Sequence, residues 1–179
     1  MELPKHTSHM VRVYNKVLPS GWCSKLIDLF ETSEINHEYV NNDHKPCFTS
    51  LNLNKHHKDI VDSLIPYVQN VYDQYKTKYL PDFGFLEEFR VKRYLTNGKD
   101  RFDEHVDVIN WVTARRVVSF LIYLNDNDGD TVFPNHGLNI KPECGKLVVF
   151  PPTWEYPHMG LPPKNNSKYI LSTYIHLPG

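Results

Sequence analysis

The residues that could do chemistry are His105-Val106-Asp107, with His158 a further 51 residues along and Lys168 ten beyond that. An H-x-D motif alone is weak, because with this composition chance supplies roughly 0.7 of them. The chain indeed holds a second, His57-Lys58-Asp59. Local conformation separates the two. Residues two apart on a strand share a face and can reach one ion, whereas two apart on a helix they diverge. His57 and Asp59 open a helical pattern and read as exposed polar residues; His105 and Asp107 lie in an extended stretch between Phe102 and Val108. Two imidazoles and a carboxylate on one side of a metal leave three positions open, which suits iron(II) binding a chelating cosubstrate and then oxygen.

Lys168 adds a second kind of chemistry. It opens the stretch Lys168-Tyr-Ile-Leu-Ser-Thr-Tyr174, in which Lys168, Ile170, Ser172 and Tyr174 fall on one face of a strand. A lysine on the same face as Ile170 must either snorkel to water or meet an anion, because an unpaired buried ammonium is expensive. It is suited to the far carboxylate of a chelating dicarboxylate. The acidic run Asp126, Asp128, Asp130 invites a calcium reading but fails the EF-hand pattern, with Thr131 at the sixth position and Gly137 at the twelfth; a hairpin turn is the better account. No partner is legible for His44, His136 or His176.

The elements that must position these groups change character along the chain. Trp22, Leu26, Leu29 and Phe30 predict a helix over 21–32, capped by Ser20. Residues 35–54 read as extended, and the stretch 32–53 is a candidate lid over the site. An amphipathic helix is expected over 55–79, with a kink or break at Pro66. The second half alternates short apolar runs (89–95, 117–124, 131–133, 138–140, 146–150, 169–177) with Gly-, Asn- and Pro-rich punctuation, the pattern of an antiparallel sandwich or barrel. The expected fold is α+β: a jelly roll, or double-stranded β-helix of cupin-like form, with N-terminal helices packed on one sheet. The chain reads as a single domain over 1–179, with helical support over about 17–80 and a jelly-roll core over about 85–178.

The 179 residues carry a formal net charge of -1 and no basic stripe, which argues against nucleic-acid binding. No stretch is long and apolar enough for a membrane span or a signal peptide. Cys23, Cys47 and Cys144 are odd in number and widely spaced, so three free thiols in a reducing, cytoplasmic setting are expected.

From Arg90 to Leu177 the chain resembles the prolyl 4-hydroxylase-like group of 2-oxoglutarate- and Fe(II)-dependent dioxygenases. The likeness rests on an ordered series: Val91-Lys-Arg-Tyr94, His105-x-Asp107, Arg116-x-x-Ser119-x-x-x-Tyr123-Leu-Asn125, Thr131-x-Phe133-Pro134, Pro142-x-x-Gly145-x-x-x-x-Phe150, and His158 with Lys168 ten later. The resemblance implies that His105, Asp107 and His158 are the iron ligands and that Lys168 binds the distal carboxylate of 2-oxoglutarate. It also implies that Tyr123 hydrogen-bonds that carboxylate, that Ser172 assists, and that Tyr94 lines the cosubstrate pocket. Fe(II), 2-oxoglutarate and O2 are the implied cofactors, with ascorbate as a reductant. The implied reaction is hydroxylation of a C–H bond, of a prolyl residue in a peptide or protein. The run Asp128-Gly129-Asp130-Thr131 departs from the group, which often has two glycines before its Thr-x-Phe. Alternatives stay open: a hydroxylase of a free amino acid, a zinc enzyme on a similar barrel, or a catalytically inactive metal-binding jelly-roll interaction module.

Overall fold

The computed structural model describes residues 5–6 as backbone and residues 10–41 and 46–178 in full. In chain order the elements are β1 (Lys5–His6), β2 (Arg12–Tyr14), α1 (Ser20–Thr32), β3 (Glu38–Asn41), β4 (Cys47–Asn52), α2 (Leu53–His56), α3 (Lys58–Tyr75), β5 (Arg90–Tyr94), β6 (Phe102–His105), β7 (Arg116–Tyr123), β8 (Thr131–Phe133), β9 (Leu138–Ile140), β10 (Leu147–Phe150), β11 (His158–Gly160) and β12 (Lys168–His176). The strands form two antiparallel sheets. The large one runs β1-β2-β10-β7-β12-β5-β4-β3 and the small one β6-β11-β8-β9. This is the double-stranded β-helix expected from the strand pattern.

Period-two alternation makes the large sheet two-faced. One face carries Val91, Val118, Phe120, Ile122, Leu147, Val149, Leu171 and Ile175 into a core shared with α1 and α3. Helix α1 contributes Cys23, Leu26 and Phe30; α3 contributes Ile60, Val61, Leu64, Val68, Val71, Tyr72 and Tyr75. The opposite face carries Phe48, Tyr94, Tyr123, Val148, Phe150 and Ile170 into a second core, beneath Phe133 and Ile140 of the small sheet. The N-terminal helices therefore pack on one sheet, while the space between the sheets is left for the site.

Several local expectations are corrected. Ser20 does not cap α1: the amides of Trp22 and Cys23 donate to the Pro19 carbonyl, and no side chain caps this end. Helix α3 passes through Pro66 without a break. Pro66 and Asp62 are both exposed, so the carbonyl that loses its partner faces water while the buried stripe continues on the other side. The supposed lid is largely sheet: β4 is buried along its length and pairs with both β3 and β5. Residues 42–45 lie outside the described residues, and with them His44. The acidic run is not a hairpin, because β7 and β8 belong to different sheets. Asp128 instead accepts from the Lys164 amide and the Asn165 side chain, tying the crossing to residues 164–165. His176 meets Glu87 at 2.7 Å, and His136 stacks on Tyr156, so both have partners.

One turn carries unusual constraint. Gly145 has φ +75, and a Cβ there would lie 2.2 Å from the Leu18 carbonyl oxygen. Its own carbonyl accepts from the Val17 amide and its amide donates to the Tyr123 carbonyl, which ties the entry to α1 onto the sheet. Gly145→Ala is expected to cost about 3 kcal/mol, lowering Tm by roughly 10 °C, because it adds a backbone clash to left-handed strain. A thermal melt unchanged from the parent would remove this turn from the determinants of stability.

Candidate active site

The site grows from the end of β6. His105 is the last residue of that strand and pairs in register with His158, the first residue of β11. Asp107 stands just past the strand, where its amide and that of Val108 donate to the Pro152 carbonyl. The bend, rather than a continuous strand, brings the carboxylate alongside the imidazole. His105 Nε2 lies 3.6 Å from Asp107 Oδ1, and His158 Nε2 lies 3.8 Å from Asp107 Oδ2. One ligand atom from each residue falls within 4.8 Å of the other two, a group that could hold a metal ion.

Each imidazole is oriented from behind. His105 Nδ1 sits 2.8 Å from the Asp103 carbonyl and His158 Nδ1 sits 3.1 Å from the Tyr156 carbonyl. A carbonyl can only accept, so both Nδ1 atoms carry hydrogen and both Nε2 lone pairs face the cavity. Phe102 stacks on His105 at 3.5 Å, while Phe150 packs edge-on against His158 at 4.7 Å. Burial pushes the His158 imidazole down to about 4, against the pull of Asp107 and so in favour of the neutral ligand form. Burial alone would raise the Asp107 carboxyl; the two imidazoles and the Ser119 hydroxyl outweigh it and hold it well below the usual carboxylate range.

Asp107 is fixed by three further donors. Ser119 Oγ donates to Oδ2 at 2.8 Å, Tyr174 OH to Oδ1 at 3.2 Å, and Arg116 to the backbone carbonyl at 2.9 Å. Arg116 is itself locked, pairing with Glu87 and stacking on the Tyr174 ring at 4.0 Å. Sequence reading missed these roles for Ser119, Arg116 and Tyr174. The signal was present: Ser119 and Tyr174 are opposite partners on β7 and β12, on the faces that alternation turns toward the cavity.

The inner cavity is lined by the triad together with Tyr94, Lys168 and Ser172, so five of the six are set by strand ends or strand alternation. Lys168 is 3% exposed, and among the described residues its ammonium has one hydrogen-bond acceptor, the Gly129 carbonyl at 2.6 Å. The Tyr94 and Tyr123 rings lie 5.5 and 5.9 Å from Nζ. Burial lowers the Lys168 pKa to about 8, with Asp130 opposing. Tyr123 is placed differently from the others: its hydroxyl donates to Thr131 Oγ1 at 2.7 Å, and Thr131 is the side chain that faces the cavity. Gly129 must be glycine to present its carbonyl, since a Cβ there would lie 2.7 Å from the Leu161 carbonyl oxygen. Asp130, in place of a second glycine, holds the Leu161 amide through its own carbonyl.

These residues fit an iron(II) ion chelated by 2-oxoglutarate. Two imidazoles with inward-facing Nε2 lone pairs and an ionised carboxylate converge within 4.8 Å of one another. A buried ammonium with spare donors shares the same cavity.

The 2OG-Fe(II) oxygenase superfamily matches the chain over residues 89–176, the span that contains the whole triad and Lys168. No curated protein matches it in sequence. Among solved structures, the viral collagen prolyl hydroxylase of Paramecium Bursaria Chlorella virus-1, in its 2OG complex, superposes with TM-score 0.73 at 20% identity, covering 93% of this chain and 96% of that one. A Pseudomonas putida prolyl-4-hydroxylase superposes with TM-score 0.77 at 17% identity, covering 96% and 95%. A Trichoplax adhaerens prolyl hydroxylase, bound to a hypoxia inducible factor peptide fragment, gives 0.77 at 16% identity, covering 96% and 85%. At these identities the structural likeness speaks for the fold, and the family match together with the triad speaks for the chemistry. With its superfamily match confined to residues 89–176, the chain is a 2-oxoglutarate-dependent dioxygenase of prolyl 4-hydroxylase-like architecture that uses Fe(II), 2-oxoglutarate and O2.

Proposed function

We propose that His105, Asp107 and His158 hold the iron, that Lys168 pairs with the distal carboxylate of 2-oxoglutarate, and that the enzyme hydroxylates a prolyl residue in a peptide or protein. The observation that carries this reading is the Lys168 ammonium, buried in the cavity that the triad also lines and, among the described residues, without a carboxylate partner. Bound iron would supply the oxygen activation that side chains lack. The chain's own residues hold the imidazoles in one tautomer, keep Asp107 ionised, and wall the cavity with the apolar side chains of Phe102, Phe150 and Ile170. Thr131 and Tyr94 stand beside Lys168, with Tyr123 acting through its bond to Thr131. Ser172 lies nearer the mouth, where it also lines the outer groove.

Peptide access is supported by that groove, which opens beside the triad and is walled by Phe48, Val106 and Ile109. The prolyl hydroxylase solved with a peptide from hypoxia inducible factor has the same fold. We read residues 1–179 as one oxygenase domain. Three free cysteines support a cytoplasmic setting, and among the described residues no helix is long and apolar enough to cross a membrane.

Titrating 2-oxoglutarate into the anaerobic iron(II) protein should raise the weak visible band of chelation, and His105→Ala, Asp107→Ala or His158→Ala should each abolish it while the protein still melts cooperatively. A triad variant that keeps the band would unseat that residue as a ligand. The depressed Lys168 pKa gives two further outcomes. Only the ammonium form binds the dicarboxylate, so 2-oxoglutarate affinity should fall as pH rises through about 8, by up to roughly tenfold per unit, and flatten in Lys168→Arg. In the ligand-free protein the charged form is disfavoured relative to the unfolded chain, so the cost is full below pH 8 and fades as pH approaches the unfolded value. Lys168→Met should therefore raise stability at pH 7 by roughly 1–3 kcal/mol while losing all stabilisation by 2-oxoglutarate; a destabilised variant would contradict the account of Lys168 as a strained cation.

A further inference from the structure

Lys92 is a second cation at the site that the chemistry so far leaves unused. It lies on β5 opposite Ile170 of β12 and Ser50 of β4. Tyr94, two residues along β5, is the register partner of Lys168. One strand repeat, about 6.6 Å, therefore separates the two lysine positions along the sheet. Lys92 lines both the inner cavity and the outer groove, whereas Lys168 and Tyr94 line only the inner one. It thus stands at the passage from groove to metal site, on the route a substrate must take.

The arginines beside it are neutralised. Arg90 pairs with Glu38 and Glu88 at 2.7 Å each, and Arg116 pairs with Glu87. The Lys92 ammonium has no hydrogen bond or ion pair among the described residues and rests 5.2 Å from the centre of the Phe48 ring. Burial lowers its pKa to about 8, with Asp107 the main opposing charge. Asp107 is committed to the triad, so it offers Lys92 no direct partner. A count of charge in the loaded site makes the vacancy specific. The two positive charges of iron and the one on Lys168 are balanced by Asp107 and the two carboxylates of 2-oxoglutarate. Lys92 is left as a single positive charge in a low-dielectric passage, where an unmatched ion is costly.

We propose that Lys92 is a specificity determinant that pairs with a carboxylate on the primary substrate, close to the carbon that reacts. The inference rests on the oxygenase reading and narrows its substrate to a carboxylate-bearing prolyl compound. A monoanion fits the single excess charge, and the apolar walls of Phe48 and Ile170 suit the ring beside it. The carboxylate could be a main-chain terminus, as in a free imino acid or the last residue of a chain, or an acidic side chain next to the proline.

Calorimetric titration separates these sources. The probes are acetyl-L-proline against acetyl-L-prolinamide, and acetyl-Pro-Glu-amide against acetyl-Pro-Gln-amide, each run on the metal-free protein and on the anaerobic protein loaded with iron(II) and 2-oxoglutarate. At least one carboxylate probe is expected to bind about tenfold or more tightly than its amide counterpart, the size of one charge-assisted contact. Lys92→Met should reduce that preference below twofold while leaving the 2-oxoglutarate half-saturation unchanged, and Lys92→Arg should restore it. Equal binding of both members of each pair would overturn the proposal. So would a preference that survives in Lys92→Met, or a Lys92→Met variant that loses 2-oxoglutarate affinity instead. If the loaded protein shows no chelation band, the oxygenase reading fails by itself, and the probe pairs on metal-free protein still decide the role of Lys92.

Discussion

An ammonium enclosed by protein with one carbonyl oxygen as its acceptor is a group waiting for an anion, and the cavity is organised around Lys168 in that condition. Folding tolerates it because the surrounding sheets are closed by two large apolar cores, one under the helices and one between the sheets. The structural cost is concentrated at a few places that cannot vary freely. Gly129 must approach the Leu161 carbonyl closely to offer its own carbonyl to Lys168, and Thr131 is held in place by the buried hydroxyl of Tyr123. In the proposed reading, the charge that destabilises the empty protein is the same charge that would make the cavity selective for a dicarboxylate.

The metal side of the cavity obeys the opposite rule, with nearly every polar group satisfied in advance. The carbonyls of Asp103 and Tyr156 set the imidazole tautomers, and Ser119, Tyr174 and Arg116 hold Asp107 on three sides. Arg116 in turn is braced by Glu87, which also meets His176 near the chain's end. This network carries the geometry of a site at the edge of a small sheet back into the large one, which is anchored on α1 and α3. Pre-set ligands need little reorganisation when an ion arrives, which favours binding and fixes which coordination positions stay open.

Between these two halves lies the passage where Lys92 stands. Its position on the cavity-facing side of β5 repeats the logic of Lys168 one step toward the groove: alternation forces the side chain inward, and among the described residues no carboxylate comes to meet it. The arginines nearby differ in having acidic partners on adjacent strands and loops. An enzyme of this architecture can thus take its cosubstrate from the fold's shared features and its substrate preference from a single unmatched side chain at the mouth.

Local pattern was enough to place Lys168, Ile170, Ser172 and Tyr174 on one face and to separate helical support from a strand-rich core, whereas Asp107 meets His105 through a bend beyond β6 that strand periodicity does not foresee. The first two depend on a period of two or 3.6 residues, a property of short stretches of chain. Other features depended on which strands become neighbours. His158 reaches the triad because β11 pairs with β6, β2 to β4 extend the large sheet although their sequences lack a strong strand pattern, and the acidic run spans two sheets rather than turning a hairpin. Whether an inward-facing cation finds a partner is likewise a matter of tertiary structure: Arg90, Arg93 and Lys92 share one strand, yet the first two meet glutamates far away in sequence and the third meets none among the described residues. Periodicity along the chain dictates the direction in which a side chain points, but what it meets there is decided by long-range packing, which no short window of sequence contains.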